Sequence, residues 1–476
     1  MTATPLASTT PRTLTIPAEA VVAAGLALLA FSLGLYGPFF FNDGDTLWHL
    51  RAGELMLDQG AVLHADPFSF SFAGQKWTTH EWLAEVLSAL AWRGGGAGGV
   101  AAFHALAAGL LVLILFRAAA PGVRTSAWVL ALVVAFGCLL PGYLARPHFL
   151  VLPLLALWTW ALIDARGRGE APPLVLALVL WLWANLHGSF IFGAALAAFF
   201  AFEALVADLL AWRRTVWRWS RFAGACLVAV IATPHLIDGL LFPFQLKQIG
   251  NLVKIVEWRP MDWALPQPAH LAVLGLGALL LHPKGRPGFL RLLLLAGLFW
   301  MMAQHQRHQM LFAIVGLVVM AEPLARIAQG KFEPRAVFGP ALALFLAGAV
   351  LLTGVRIATG PAAMPETSTY HPAAIAALPA DLRAQPGLND YGFGGALIFS
   401  GVKVFVDSRV DMYGDAFMNP YYAMLADQPG ALNAGLARWG FRWAMLFPGE
   451  PAVLALQQRG WRVLFQDERA VVLAAP

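Results

Sequence analysis

Long apolar runs separated by short polar breaks fill the chain from Ala18 to Val355. A helix needs about 17 to 25 residues to cross a hydrocarbon core of roughly 30 Å. On that measure the runs at 18–36, 99–116, 126–144, 149–164, 172–186, 189–211, 222–240, 268–281, 289–304, 308–327 and 337–357 read as eleven transmembrane helices. The stretch Trp82 to Trp92 (WLAEVLSALAW) is too short to join them, carries Glu85 and ends at Gly94-Gly95-Gly96, so it reads as an interfacial helix. Beyond the last run the pattern changes. Helix-like pieces (His371 to Leu378, Asp415 to Ala426, Pro429 to Trp439, Pro451 to Arg459) alternate with strand-like ones (Lys403 to Val406, Arg442 to Phe447, Arg462 to Phe465, Ala470 to Leu473). The expected fold class is an α-helical polytopic membrane protein with a small C-terminal α/β domain. Its parts are an N-terminal segment 1–17, a membrane domain 18–357 with a large first loop at 37–98, and a terminal domain 358–476.

Charge supports this layout and orients it. Of the 476 residues, 59% are hydrophobic and 12% charged, far from the mixture in soluble domains. Arg117 and Arg124; Arg166 and Arg168; Arg213, Arg214, Arg218 and Arg221; Lys284, Arg286 and Arg291; and Arg326, Lys331 and Arg335 all fall in alternate connections. The short hairpins between them hold only Arg146 and Arg307. By the positive-inside bias the N-terminus is cytoplasmic and the C-terminal domain periplasmic, in a bacterial inner membrane. The net charge of +5 comes from these connections and gives no reason to expect nucleic acid. Cys138 and Cys226 lie in apolar runs and read as packing.

On this topology the unusual polar motifs share one side of the membrane. They are Asn42-Asp43-Gly44-Asp45 and His49-Leu50-Arg51, Arg146-Pro147-His148, Asn185-Leu186-His187, His235, Glu257-Trp258-Arg259 and His305-Gln306-Arg307-His308. Ionisable groups at membrane depth are costly and face a cavity or a partner, so a periplasmic cavity is implied. Asp45 to Gly60 has the spacing of an amphipathic helix on the membrane surface, capped by an acid at the cavity mouth. A cap and a catalytic acid are equally compatible with Asp43 and Asp45.

Asp43-Gly44-Asp45 at the end of a first span, followed by a long loop and, far downstream, a soluble domain, resembles the GT-C superfamily of membrane glycosyltransferases. Many members carry adjacent acids where this chain has a glycine between two aspartates. The tail, Asn389-Asp390-Tyr391-Gly392-Phe393-Gly394-Gly395 and Val404-Phe405-Val406-Asp407-Ser408-Arg409-Val410-Asp411-Met412-Tyr413, resembles a group of bacterial GT-C-like proteins. Trp48-His49, Asn185-Leu186-His187-Gly188 and Glu257-Trp258 match that group as well. The resemblance implies transfer of a sugar from a polyprenyl-phosphate-linked donor to a glycan, lipid or protein acceptor. Inverting transfer needs a carboxylate to take the acceptor's proton and cations to hold the departing phosphate.

Asp45, with Asp43 as second choice, is assigned as base, and Arg146, His148, His187, Arg307 and His308 as the phosphate cradle. His49, Arg51, Asn185, Glu257, Asp407 and Arg409 complete the candidates for substrate contact. No cofactor is specified. His49, Asp43, Asp45, His148 and His187 could bind a divalent cation such as zinc or manganese, but no ligand spacing marks a site; many relatives in the resembled superfamily work without a metal, so metal-free chemistry is the default and the question stays open. A non-catalytic scaffold for envelope polysaccharide assembly and a lipid-linked sugar transporter are the alternatives. Asp407, Arg409 and Asp411 alternate at an expected strand end, which puts them on one face, either as an ion-paired knot or as an acceptor-recognition surface.

Overall fold

The computed structural model describes residues 18–35, 37–330, 340–361 and 363–476. The N-terminal segment 1–17, Lys331, Arg335 and the expected start of the last span lie outside them. Among the described residues, Trp82–Arg117, Pro147–Gly167, Phe190–Ala207 and Pro340–Ala358 are long and apolar enough to cross a membrane. Two bent pairs raise that number to six: Trp212–Ile231 with Leu236–Leu246, and Gln306–Val319 with Ala321–Ile327. Five shorter apolar helices, Ala18–Gly34, Thr125–Gly137, Leu174–Leu186, Pro268–Leu281 and Phe289–Gln304, fall on the remaining expected runs.

Two expected spans, 222–240 and 308–327, are bent, the second by 52° between Val319 and Ala321. The run at 222–240 bends by 92° between Ile231 and Leu236, where Pro234 supplies no N–H and pushes Thr233 out of helical backbone. Trp82–Arg117 has 36 residues, about 54 Å at 1.5 Å per residue, too long for one crossing. Its backbone leaves helical geometry at Gly95 and Gly96, the latter at φ 56° and ψ −145°. The glycine run therefore separates the Trp82 segment from the span that follows.

The basic connections gather at one end of the bundle. Glu203 accepts from Arg166 Nε at 3.2 Å and Arg291 Nε at 2.8 Å, and Arg326 Nη2 donates to the Arg286 carbonyl at 3.0 Å. The polar motifs lie together at the other end.

The first loop is folded rather than spread on a surface. Its helix, Thr46–Gln59, ends at Gly60 in the left-handed region (φ 63°). Thr46, Leu47, Trp48, His49, Leu50, Ala52, Gly53 and Met56 are buried, more than an interfacial helix needs, because protein covers both sides. The Trp82 segment covers one: a Cβ on Gly53 would lie 2.0 Å from the Glu85 carbonyl. Tyr391–Phe399 of the C-terminal domain covers the other, where a Cβ on Gly395 would lie 2.2 Å from the Gly44 carbonyl.

The C-terminal domain has a four-stranded sheet in the order β1-β2-β4-β3, with β1 Gly387–Asn389, β2 Trp443–Leu446, β3 Arg462–Gln466 and β4 Val471–Ala474. β1 runs parallel to β2, and the other pairs are antiparallel. Two expectations change here. β1 was not foreseen, since three residues are too few to show an alternating pattern. Lys403–Val406 is not a sheet strand but pairs with the first loop, Phe70 N–H donating to Val404 O at 3.0 Å and Val404 N–H to Phe68 O at 3.2 Å.

Just after it, Arg409 donates from Nε to Asp407 Oδ1 at 2.8 Å and from Nη2 to Asp407 Oδ2 at 2.6 Å, while its Nη1 faces Asp66 Oδ1 of the first loop at 2.8 Å. The three side chains are at most 1% exposed. The Trp77 and Phe68 rings stand 4.5 and 5.2 Å from the guanidinium. Asp411 does not share this face, because the chain turns into the Val410–Leu425 helix before reaching it. Removing one member of a buried pair leaves an uncompensated charge and costs about 3–5 kcal/mol. Arg409→Ala is therefore expected to lower the thermal unfolding midpoint in detergent and open the 363–476 region to limited proteolysis. An unchanged midpoint and protease pattern would refute the anchoring role.

Candidate functional site

The acids of Asp43-Gly44-Asp45 separate in role at once. Asp43 Oδ1 accepts the backbone N–H of Asp45 at 2.7 Å and of Thr46 at 3.2 Å, so Asp43 caps the Thr46–Gln59 helix. Asp45 makes no capping bond. Its Oδ1 instead faces Trp48 Nε1 at 3.4 Å, and that indole also donates to Ser408 Oγ at 2.9 Å.

Arg146 reaches these acids from the other side. Pro147 opens the next helix and holds Arg146 in extended backbone (φ −126°, ψ 153°). The guanidinium pairs with Asp45 Oδ2, with Asp43 Oδ2 at 3.3 Å and with Glu257 Oε2 at 3.6 Å. Glu257 also faces Arg307 Nη1 at 3.5 Å, and the Arg307 guanidinium stands 4.5 Å from the Trp258 ring. The turns carrying Glu257 and Arg307 are tied together, Gln306 N–H donating to Arg259 O at 3.0 Å and His305 Nδ1–H to Trp258 O at 2.6 Å. Residues from four separate stretches thus form one network of three carboxylates and two guanidiniums.

Burial raises Asp43 and Asp45 above the usual carboxylate range, with Arg146 opposing it, and Asp45 is pushed up to about 7. Glu257 goes the other way. Burial works against its charge, but Arg146 and Arg307 outweigh it and hold Glu257 down at about 2. Three acids around two fixed cations leave one negative charge uncompensated, and Asp45 is the group best placed to carry a proton near neutral pH.

A second cluster lies beside the first. Glu81, just before the Trp82–Arg117 helix, faces His49 Nε2 at 3.4 Å, His187 Nε2 at 3.2 Å and His80 Nε2 at 3.6 Å. His49 turns its Nδ1 to Glu85 Oε1 at 3.0 Å. Burial lowers His49 and His187 to about 3 each, which keeps both imidazoles neutral. Glu81, Glu85 and His80 were not among the sequence candidates. The available signal was His80-Glu81-Trp82 at a helix start, with Glu85 one turn later on the same face.

Of the thirteen candidates, Asp43, Asp45, Arg146, Glu257 and Arg307 meet in the first cluster, and His49 and His187 in the second. The others take different hydrogen-bond or ion-pair partners, although the His148 ring lies 6.3 Å from that of His187. His148 Nε2–H donates to Gly142 O at 2.8 Å, and His308 Nδ1–H to Met301 O at 3.1 Å, each closing a turn. Asn185 accepts from Trp82 Nε1 at 2.9 Å and donates to Trp181 O at 2.8 Å. Arg51 pairs with Glu54 at the surface. Asp407 and Arg409 form the buried knot described above.

An apolar groove of about 280 Å³ lies near the acids, lined by Ser32, Leu33, Phe39, Phe40, Leu140, Tyr143, Leu352 and Arg356. It adjoins Arg146, since Phe40 O accepts the N–H of Ala145 at 2.9 Å. A second hollow, of about 320 Å³, lies between Phe242–Ile249 and the acids Asp411 and Asp415.

No protein-family model and no curated protein matches the chain. Solved structures do match. ArnT from Cupriavidus metallidurans, bound to undecaprenyl phosphate, superposes with a TM-score of 0.54 at 14% identity, covering 96% of this chain and 97% of ArnT. The oligosaccharyltransferase AglB from Archaeoglobus fulgidus, in complex with an inhibitory peptide and a dolichol-phosphate, gives 0.56 at 12% identity, covering 90% and 69%. The same archaeal enzyme in its apo form gives 0.54 at 12% identity. With its helical body, folded first loop and C-terminal domain, this chain therefore shares the fold of the membrane proteins ArnT and AglB.

Proposed function

We propose that this protein transfers a sugar from a polyprenyl-phosphate-linked donor to a periplasmic glycan, lipid or protein acceptor, by inverting displacement. It does so from an inner membrane that it crosses eleven times, with residues 358–476 in the periplasm. The observation that carries this reading is the network in which Arg146 and Arg307 sit against Asp45, Asp43 and Glu257.

In this reading Asp45 is the general base. It takes the proton of the acceptor hydroxyl as that oxygen bonds to the anomeric carbon. The bond from the anomeric carbon to the phosphate oxygen breaks, and its electron pair leaves with the phosphate. Arg146 and Arg307 neutralise the charge that develops there, a task suited to planar guanidiniums that grip phosphate oxygens two at a time. Both are paired with carboxylates in the structure, so donor phosphate binds by displacing Glu257 and part of the Asp43 contact. The groove beside Arg146 offers its apolar wall to the prenyl chain. Asp43, as a helix cap, positions the base.

Asp45→Asn keeps the shape of the side chain and removes its basicity. It is expected to slow transfer by about 10²–10⁴-fold, with the lipid-linked donor accumulating in mass spectra of cell lipids and one sugar missing from envelope glycans or glycoproteins. Unchanged profiles, beside a clear defect on deleting the gene, would favour the scaffold role.

The base acts only when deprotonated, so the rate in membranes should rise with pH and level off above about 7. A profile flat through neutral pH would remove Asp45 from that role. Arg146→Lys keeps a charge but loses the two-point grip, and is expected to raise the donor KM by at least about tenfold, equivalent to about 1.4 kcal/mol. An unaltered KM would place the phosphate elsewhere.

A further inference from the structure

The Glu81 cluster is unused by the transfer chemistry, and its hydrogen-bond accounting does not close. His49 presents both ring nitrogens to carboxylates, Nδ1 to Glu85 at 3.0 Å and Nε2 to Glu81 at 3.4 Å. A neutral imidazole has one N–H, so the other contact closes only if that carboxyl carries a proton or a cation stands between the two. Glu85 Oε2 has no hydrogen-bond partner although its side chain is 1% exposed. Among the described residues, the ion-pair partners of Glu81 and Glu85 are imidazoles alone. Arg409 acts on Glu85 and Arg146 on Glu81 only from a distance, without an ion pair, so the two buried carboxyls leave room for a cation between them.

The spacing suits a small one. One donor atom from each of His49, Glu81 and Glu85 lies within 4.8 Å of the other two. A tetrahedral ion with bonds of about 2.0–2.2 Å holds its ligand atoms about 3.4 Å apart, so little contraction is required. The 3.4 Å between His49 Nε2 and Glu81 Oε2 already has that value. His187 Nε2, 3.2 Å from the other Glu81 oxygen, stands next to the remaining position. One imidazole with two carboxylates is a donor set for zinc or manganese rather than for a soft thiophilic ion.

We propose that His49, Glu81 and Glu85 bind a divalent transition-metal ion, zinc by preference, at a site separate from the Asp43–Asp45–Arg146 network. The ion joins the first-loop helix to the start of the Trp82–Arg117 helix and neutralises the buried acids. It leaves the acid pair to Arg146. The proposal does not depend on sugar transfer.

The test uses full-length, tag-free protein in detergent, stripped with chelator and reloaded with zinc alone. Wild type and Asp43→Asn/Asp45→Asn should each retain one zinc per chain by elemental analysis, while Glu81→Gln and His49→Ala retain at least tenfold less at micromolar zinc. X-ray absorption of zinc-loaded wild type should show an oxygen and nitrogen shell with imidazole scattering, a readout that stands even if a variant fails to fold. Failure of wild type to retain zinc, undiminished zinc in Glu81→Gln and His49→Ala, loss of zinc from the Asp43→Asn/Asp45→Asn protein, or a shell without imidazole would each overturn the site.

Discussion

The arrangement depends on one buried cation. Arg409 is held by Asp407 within its own domain and by Asp66 of the first loop, with all three side chains almost completely out of water. An ion pair so buried tolerates no half-formed state: if the C-terminal domain lifts away, Asp66 keeps its charge and loses its partner, and Arg409 is left with Asp407 alone. The domain is therefore not a loosely tethered appendage. It is locked to the loop that carries Asp43 and Asp45. The lock also reaches the acids directly, because Ser408, between Asp407 and Arg409, accepts from Trp48 Nε1, and the same indole edge faces Asp45.

The acids themselves are governed by a shortage of positive charge. Glu257 lies between Arg146 and Arg307 and stays ionised, whereas Asp45 shares Arg146 with Asp43 and is driven toward neutrality by burial. Similar side chains a few ångströms apart are thus driven in opposite directions by their surroundings, Glu257 toward the charged form and Asp45 toward the neutral one. Next to it the Glu81 cluster has the opposite composition, its direct ion-pair partners among the described residues being imidazoles rather than guanidiniums.

Much of the body was legible in the sequence because lipid imposes a simple code. Apolar length placed a run on each apolar helix of that body, although the run at 222–240 stopped short of Leu246, and the glycine run after Trp92 marked the break in Trp82–Arg117. The bend at Pro234 was also written in the chain, but hydropathy alone read through it. The candidate site was legible in part. Asp43, Asp45, Arg146, Glu257 and Arg307 stood out as charges at the ends of apolar runs, and they converge. Glu81 and Glu85 did not stand out, because in a loop rich in acids nothing local distinguishes a buried glutamate from a solvated one. Their partners His49 and His187 lie 32 and 106 residues from Glu81, a pairing that only tertiary structure reveals. Asp407 and Arg409 were visible as a motif, and burial places them in the knot rather than on an open face.

The glycine between Asp43 and Asp45 follows from the same docking. Helix Tyr391–Phe399 approaches the loop so closely that Gly395 meets the Gly44 carbonyl, and a Cβ on Gly44 would lie 3.3 Å from the Gly392 carbonyl. Backbone packs on backbone there, which explains glycines on both sides of the contact. Adjacent acids would put a side chain where the domain now rests. Spacing them by one residue instead lets Asp43 turn back to cap the Thr46–Gln59 helix while Asp45 faces Arg146 and Trp48. The interval between the two acids is therefore set by the C-terminal domain, and the difference in role between them follows from it.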